Sequence, residues 1–125
     1  ATAGPGPRNA ITDVDGILVG NAADEKAKTG VTVIVPEPPC VCGADIRGGG
    51  PGTRETGTLL PETLVDRIDA LVLAGGSVYG LAAGDGVTAA MGAAGRGFSL
   101  IARDGVPVSP IVPAAILSRY QDRFS

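Results

Sequence analysis

The chain has 125 residues, of which 44% are hydrophobic and 3% aromatic, and its formal net charge is −3. This length predicts one domain, or one piece of a larger one. The acidic balance provides no basic stripe for phosphates and the few aromatic residues leave little for base stacking, so nucleic acid is not expected as a partner. No apolar run approaches the roughly 20 residues that cross a bilayer, and the amino terminus lacks an apolar signal core, so we expect a cytoplasmic protein without a membrane partner.

The residue types that most often carry catalysis or bind metals are scarce. The chain has no histidine, which excludes Ser-His-Asp and Cys-His sites built within it. Its two cysteines, Cys40 and Cys42, have no second pair to complete a tetrahedral zinc site. We expect them to be free, buried thiols that pack as small hydrophobic side chains. The sequence therefore predicts neither a metal nor a cofactor.

The first part of the chain predicts an extended leader followed by β-structure. Residues 1–9 contain two Gly-Pro steps and are expected to be extended. Two β-prone runs flank Asp15–Gly16, a dipeptide typical of a type I′ turn, which predicts a hairpin there. The charged segment 21–30 has no apolar stripe and predicts an exposed loop. The continuous β-branched run 31–35 predicts a buried strand that ends at the prolines following it.

The rest of the chain alternates between strand and helix patterns. Residues 40–46 predict a strand with the glycine-rich stretch at its carboxyl end, and 61–68 predict a short helix that begins at a proline. The apolar runs 70–74 and 98–102 predict two more strands. Small apolar residues at helical spacing within 77–94 predict a buried helix close against a sheet. This alternation indicates α/β or α+β architecture.

Two glycine-rich motifs are the candidates for a functional site. In GGGPGTRET (48–56), hydroxyl, guanidinium and carboxylate groups directly follow residues without Cβ atoms, an arrangement that lets a substrate approach the main chain. A plain turn is the alternative. AGGSVYG (74–80) follows a strand and begins a helix, the local shape of a nucleotide site. Neither motif has the Gly-Lys-Ser/Thr or G-x-G-x-x-G pattern, however, so nucleotide binding is disfavoured.

Within these motifs, three side chains allow two interpretations each. Ser77 is favoured as the cap of the following helix over a nucleophile, because Tyr79 occupies the second glycine position of a G-x-S-x-G motif. Tyr79 is either buried with its hydroxyl bonded or part of a pocket wall. Glu55 either pairs with a substrate ammonium or forms a salt bridge with Arg54 or Arg47. The predicted substrate-binding or oxyanion-supporting residues are Gly49, Gly50, Gly52, Thr53, Arg54, Glu55, Ser77 and Tyr79.

Five segments resemble, in chain order, the amino-terminal part of the L-aminopeptidase/D-esterase family, whose relatives include β-peptidyl aminopeptidases and nylon-oligomer hydrolases. They are NAITDVDGILVGN, TGVTVIVPE, GADIRGGGPGTRET, DALVLAGGSVYGLAAGDGV and VSPIVPAAIL. The resemblance implies an α+β fold, the αββα sandwich of the N-terminal-nucleophile kind shared with ornithine acetyltransferase. The chain, 1–125, would be a single partial domain that supplies only part of this sandwich.

The resemblance also implies a self-processing aminopeptidase or amidase of short peptides or amide oligomers. A precursor of this kind cleaves itself into α and β subunits, and the new N-terminal Ser or Thr of β attacks an amide or ester carbonyl. Its free amine can act as the base, so no histidine is needed. This chain would then be an α-subunit portion without a catalytic residue of its own, partnered by the β subunit or the remainder of the precursor, and assembling as a homo-oligomer.

The resemblance ends at the carboxyl-terminal tail. Family members usually continue the PAAIL segment with an aromatic residue and an aspartate, whereas residues 118–125 do not follow that pattern. The alternative hypothesis is therefore a truncated or degenerate homologue that acts as a non-catalytic scaffold or partner-binding module.

Overall fold

The computed structural model describes residues 4–47, 49, 51–59, 67–99 and 105–117. The described strands form one five-stranded sheet in the order β1-β2-β4-β5-β3, and one α-helix packs on it. The strands are β1 (Ile17–Asp24), β2 (Thr29–Pro36), β3 (Thr53–Arg54), β4 (Leu71–Ala74) and β5 (Ala114–Ile116), and the helix is α1 (Ala82–Ala93). Short 3-10 helices span Ile11–Asp13, Thr56–Leu59 and Ser77–Leu81.

Strands β1 and β2 form a long antiparallel hairpin. They pair over their full length, from Ile17 opposite Pro36 to Asp24 opposite Thr29. Asp24 closes the turn, because its Oδ1 accepts the backbone N–H groups of Lys26 and Ala27 at 2.9 and 3.0 Å. The predicted strand over 31–35 is confirmed, although most of its residues are only half-buried. The predicted loop over 21–30 is wrong except at the turn itself, since both strands continue into it.

The hairpin predicted at Asp15–Gly16 is also wrong. Its first strand is replaced by the 3-10 turn at Ile11–Asp13. The Asp13 carboxylate stabilises that turn by accepting the N–H groups of Arg8 and Ala10 at 3.0 and 3.2 Å. A carboxylate that bonds the nearby backbone competes with strand pairing. The observed hairpin therefore lies one element later in the chain than the dipeptide indicated.

The core lies where β4, α1 and β5 pack together. β4 pairs antiparallel with β2 and parallel with β5, and the connection between β4 and β5 contains α1. Parallel neighbours require such a crossover. Small side chains allow α1 to approach the sheet closely. The buried hydrophobic cluster is Ala70, Val72, Ala74, Met91, Val112 and Ala114, with Val31, Val33, Val35, Ala83 and Val87 packed against it.

The helix differs in two respects from its prediction. It begins at Ala82, after the 3-10 turn, and the cap position before that turn is held by Gly76 rather than Ser77. Within α1 only Gly84 and Met91 are buried. The helix is therefore buried on one side rather than all round, because the sheet is the one layer that covers it among the described residues. Its 12 residues are too few to span a bilayer, and no other described helix is long and apolar enough.

Several predicted elements are absent or outside the described residues. Residues 40–46 do not form a strand and contribute one bridge, between Cys40 and Ile68. The run is interrupted by Gly43 and Asp45, residue types that are depleted in strands. In the predicted strand 98–102, Phe98 forms a bridge to Ser109. Residues 100–102 of that prediction lie outside the described residues. So do positions 1–3 of the leader, 61–66 of the predicted helix and the tail 118–125.

The sheet has one face against α1 and one that no described element covers. Strand register places the side chains of Val19, Ile34, Leu71, Leu73 and Ala115 together on the uncovered side, which we call the open face. Leu73, opposite Thr32 in the register, is 41% exposed. An apolar sheet face of this kind is normally buried by a second layer.

Candidate functional site

The carboxyl ends of β4 and β5 meet at one edge of the sheet, and both glycine motifs reach this edge. Because the two strands are parallel, they end side by side. The N–H of Leu117 donates to the carbonyl of Ala74 at 2.8 Å, and the N–H of Ile116 donates to the carbonyl of Gly52 at 2.9 Å. We call this region the strand-end site. It joins two motifs that residues 57–73 separate in the sequence.

Three segments form the strand-end site: the one around Gly52, the one that follows β4 (75–80) and the end of β5. Glycines allow these segments to touch. A Cβ atom at Gly52 would overlap the side chain of Ile116. A Cβ atom at Gly80 would overlap the carbonyl oxygen of Gly75 and lie 3.3 Å from Cγ2 of Ile116. Gly76 has a φ of +92°, a value that side chains rarely tolerate. These glycines therefore have a packing role, and their approach to a substrate stays a prediction. Gly49 is exposed, whereas Gly50 lies outside the described residues.

The polar residues after the first glycine motif bind other parts of the chain. Thr53 and Arg54 form β3 and pair with Ala115 and Ala114 of β5. The Arg54 guanidinium forms an ion pair with Asp85 of α1, with 2.5 Å between Nη1 and Oδ1. Its side chain is about one-third exposed, so the pair lies at the surface end of the sheet–helix contact. Arg54 thus connects the edge strand to the helix.

Glu55 also forms an internal bond. It adopts a left-handed backbone conformation with a φ of +57°, which is uncommon for a residue with a side chain. Its Oε2 accepts the N–H of Val112 at 3.3 Å, beside the start of β5. Of its two proposed arginine partners, Arg47 pairs with Asp45 at 2.9 Å and Arg54 pairs with Asp85. A substrate ammonium at Glu55 stays a prediction.

An open groove of about 470 Å³ lies on the helix side of the strand-end site. It runs between the turn end of the β1–β2 hairpin and the segment that leads into α1; we call it the hairpin groove. Most of the described residues in its wall are apolar and Asp24 is the one that is charged; the wall also includes Tyr79, which is 91% exposed. The lining residues are Ala22, Ala23, Asp24, Thr29, Gly30, Val31, Ala74, Gly75, Gly76, Tyr79, Gly80 and Ala83.

The sequence identified only part of this groove. Tyr79 is the one of the eight predicted site residues found among the described residues that line the groove. The structure does not describe the Ser77 side chain. The hairpin residues that line it, including Asp24 and Thr29, were interpreted as an exposed loop. No local pattern in the sequence could show that this turn reaches the end of β4, because the contact depends on the pairing of β2 with β4. The Thr29 hydroxyl oxygen is buried and has no hydrogen-bond partner among the described residues.

The two cysteines are unpaired thiols and half-buried rather than buried. Burial, and secondarily the neighbouring Cys40, raises the pKa of the Cys42 thiol, so Cys42 is protonated at neutral pH and is a poor nucleophile. In the part of the chain that the structure describes, no three Cys, Asp or Glu residues group as a metal site.

Comparison with known proteins gives one consistent result. The sequence pattern of peptidase family S58 matches residues 9–123. The uncharacterized aminopeptidase Rv1333 of Mycobacterium tuberculosis (strain ATCC 25618 / H37Rv) and the uncharacterized aminopeptidase Mb1368 of Mycobacterium bovis are each 49% identical over 117 residues, which is 87% of this chain and 33% of the relative. The uncharacterized aminopeptidase ML1167 of Mycobacterium leprae is 44% identical over 119 residues, 89% of this chain and 32% of the relative. The chain spans about a third of the length of these curated relatives.

Proposed function

Because the chain belongs to peptidase family S58, we propose that it is the amino-terminal, α-subunit portion of a self-processing aminopeptidase or amidase. The nucleophile in this proposal is an N-terminal Ser or Thr on a separate segment, which attacks the carbonyl of a short peptide or amide oligomer. The free amine of that residue takes up the hydroxyl proton, so the reaction needs no histidine from this chain. The chain contributes binding surface and orientation.

The observation that carries this proposal is the convergence of both glycine motifs at the strand-end site. Gly52 and the segment after β4 contact the same residue, Ile116, near the carboxyl end of β5. Ligands in sheets with parallel strands bind beyond the carboxyl ends of those strands. The ion pair of Arg54 and the bond from Val112 to Glu55 hold the other end of β3, beside the start of β5. A reacting carbonyl placed here would lie next to rigid backbone, which favours precise orientation.

The open face supports the proposed sandwich. Among its apolar side chains Leu73 is exposed and the others are half-buried, so a second layer would remove further apolar area from water. In the proposed αββα arrangement, that layer is the sheet formed by the remainder of the precursor. The relatives' other two thirds provide more than enough polypeptide for it. The same surface would support the alternative function, a non-catalytic scaffold that binds a partner or other copies of itself.

Intact-mass analysis combined with hydrolysis of an amino-acyl p-nitroanilide separates these functions. The enzyme proposal predicts a second polypeptide that begins with Ser or Thr, and release of p-nitroaniline by the preparation that contains it. Replacing that residue with alanine should abolish both precursor cleavage and hydrolysis, because one side chain performs both reactions. Purified protein that carries the second polypeptide but releases no p-nitroaniline would contradict the enzyme proposal and favour the scaffold.

A further inference from the structure

We propose that the hairpin groove is the subsite for the amino-terminal residue of the substrate, with Asp24 as the residue that receives its ammonium group. The ligand class is an amino-acid amide or ester with a short aliphatic side chain and a free amine. This inference rests on the proposed function and adds a binding site formed by the turn of the β1–β2 hairpin, which neither glycine motif includes.

The size and wall of the groove fit a small aliphatic group. A volume of about 470 Å³ is within the range of small-molecule sites. The residues at its base, including Ala74, Gly75, Gly80 and Ala83, have a methyl group or no side chain, so they leave the space open. Apolar contact with this surface gives affinity in proportion to the area removed from water.

Tyr79 forms one side of the groove and packs little against the rest of the described chain. An aromatic side chain that is 91% exposed buries little of its ring in the free chain. A ligand in the groove would cover one face of that ring, and the electron-rich face also attracts an ammonium group. Its exposure therefore favours a role as a pocket wall over the alternative of a buried tyrosine.

Asp24 supplies the charge that matches an amine. Of the lining residues that the structure describes, it is the one that is charged, although Glu25, Lys26 and Lys28 lie in the same turn. Its Oδ1 accepts both turn N–H groups, which fixes the side chain in one orientation. Glu55, which the sequence suggested for this role, directs its Oε2 to the backbone of Val112. Glu55 is not among the described residues that line the groove, so the structure favours Asp24 as the carboxylate for an ammonium group bound there.

The test is a titration of the ¹⁵N-labelled chain with L-leucinamide and with N-acetyl-L-leucinamide, followed through its amide resonances. We expect L-leucinamide to shift resonances of the hairpin turn and of residues 74–83, and to bind more tightly than the neutral acetyl derivative. D24N keeps an acceptor oxygen for the turn and removes the charge, so it should weaken L-leucinamide binding by about three- to fivefold, as expected for an exposed ion pair. The acetyl derivative should be unaffected.

A second pair of variants tests the groove itself. A22F fills the space from the hairpin side and should abolish binding of both compounds. L18F places the same side chain on the same face of β1 outside the groove and should leave binding unchanged. Resonance shifts confined to other surfaces, or equal binding of L-leucinamide by D24N and the unchanged chain, would overturn the inference. The titration measures binding without hydrolysis, so p-nitroanilide release without groove binding would overturn this inference alone, and groove binding without hydrolysis would contradict only the proposed function.

Discussion

The β1–β2 hairpin and the β4–α1–β5 unit belong to one sheet but differ in how strand length and burial go together. The hairpin has the long strands and few buried side chains, whereas the β4–α1–β5 unit has short strands and most of the core. The hairpin strands have eight residues each, yet Pro36 is the one fully buried residue in them. β4 and β5 have four and three residues and contribute Val72, Ala74 and Ala114 to the core. The difference arises because α1 lies over the short strands. Coverage by a second layer, rather than the length of strand pairing, determines where this chain gains hydrophobic stabilisation.

This comparison predicts where substitutions are costly. In the β4–α1–β5 unit, side chains are packed and changes create cavities or unpaired groups. In the hairpin, Val31, Val33 and Val35 pack against the core, whereas most other side chains are exposed or line the groove, so that changes there act through single hydrogen bonds. Urea unfolding of the purified chain measures the change in the free energy of unfolding for each substitution.

Met91→Ala should have the largest effect. Met91 is 8% exposed and belongs to the core cluster between α1 and the sheet. Its truncation leaves a cavity and should reduce the free energy of unfolding by about 3 kcal/mol. The matched control is Leu18→Ala in the hairpin, where the side chain is 52% exposed and the loss should be below about 1 kcal/mol. Equal losses at the two positions would contradict the comparison.

Asp69→Ala should be the next most destabilising change. Asp69 is 5% exposed, and its Oδ2 accepts the N–H of Ile111 at 2.8 Å, which ties the entry of β4 to that of β5. Removal of the carboxylate leaves a buried N–H without this partner, a loss of about 2 kcal/mol. Asp69→Asn keeps an acceptor oxygen at this position and should recover part of the stability. Wild-type stability for Asp69→Ala would show that the bond is not needed to join the strands.

Two glycines of the β4–α1–β5 unit should respond to alanine with opposite signs. Gly76 has a φ of +92°, so Gly76→Ala should destabilise by about 1–2 kcal/mol. Gly86 lies on the exposed side of α1, and nothing lies within 4 Å of a Cβ placed there. Gly86→Ala should therefore stabilise by about 0.5–1 kcal/mol. The same sign for both would show that backbone conformation does not limit this turn.

The smallest effects should come from two threonines of the hairpin. The buried Thr29 hydroxyl has no partner among the described residues, so Thr29→Val should stabilise by about 0.5–1 kcal/mol. Thr32 donates to Oδ1 of Asn21 at 2.6 Å across the hairpin, and Thr32→Val should destabilise by about 0.5 kcal/mol. A loss of stability in Thr29→Val would indicate that its hydroxyl has a partner.

The sequence predicted the elements that local pattern determines and missed those that depend on distant pairing. The apolar run before Gly75 and the small-residue periodicity of α1 correctly indicated β4 and the helix. Residues 21–24 have no alternation of apolar residues, and they become part of a strand because β2 pairs with them. Residues 40–46 begin with strand-forming side chains but carry Gly43 and Asp45, and Cys40 contributes their bridge to Ile68.

The site was predicted in the same uneven way. Both glycine motifs bond to the carboxyl end of β5, Gly52 to Ile116 and Ala74 to Leu117, whereas their contact with a substrate stays a prediction. The internal partners of Arg54 and Glu55 could not be foreseen, because Asp85 and Val112 become their neighbours only when β3 pairs with β5. The hairpin side of the groove was missed for the same reason.

The most direct test of the account is peptide mapping by mass spectrometry after reaction with an amino-acyl p-nitrophenyl ester. The account predicts an acyl adduct on the N-terminal Ser or Thr of a second polypeptide and none on this chain, which would contribute only binding surface. An adduct on Ser77, or on any other residue of this chain, accompanied by hydrolysis would contradict the claim that the nucleophile comes from a separate segment.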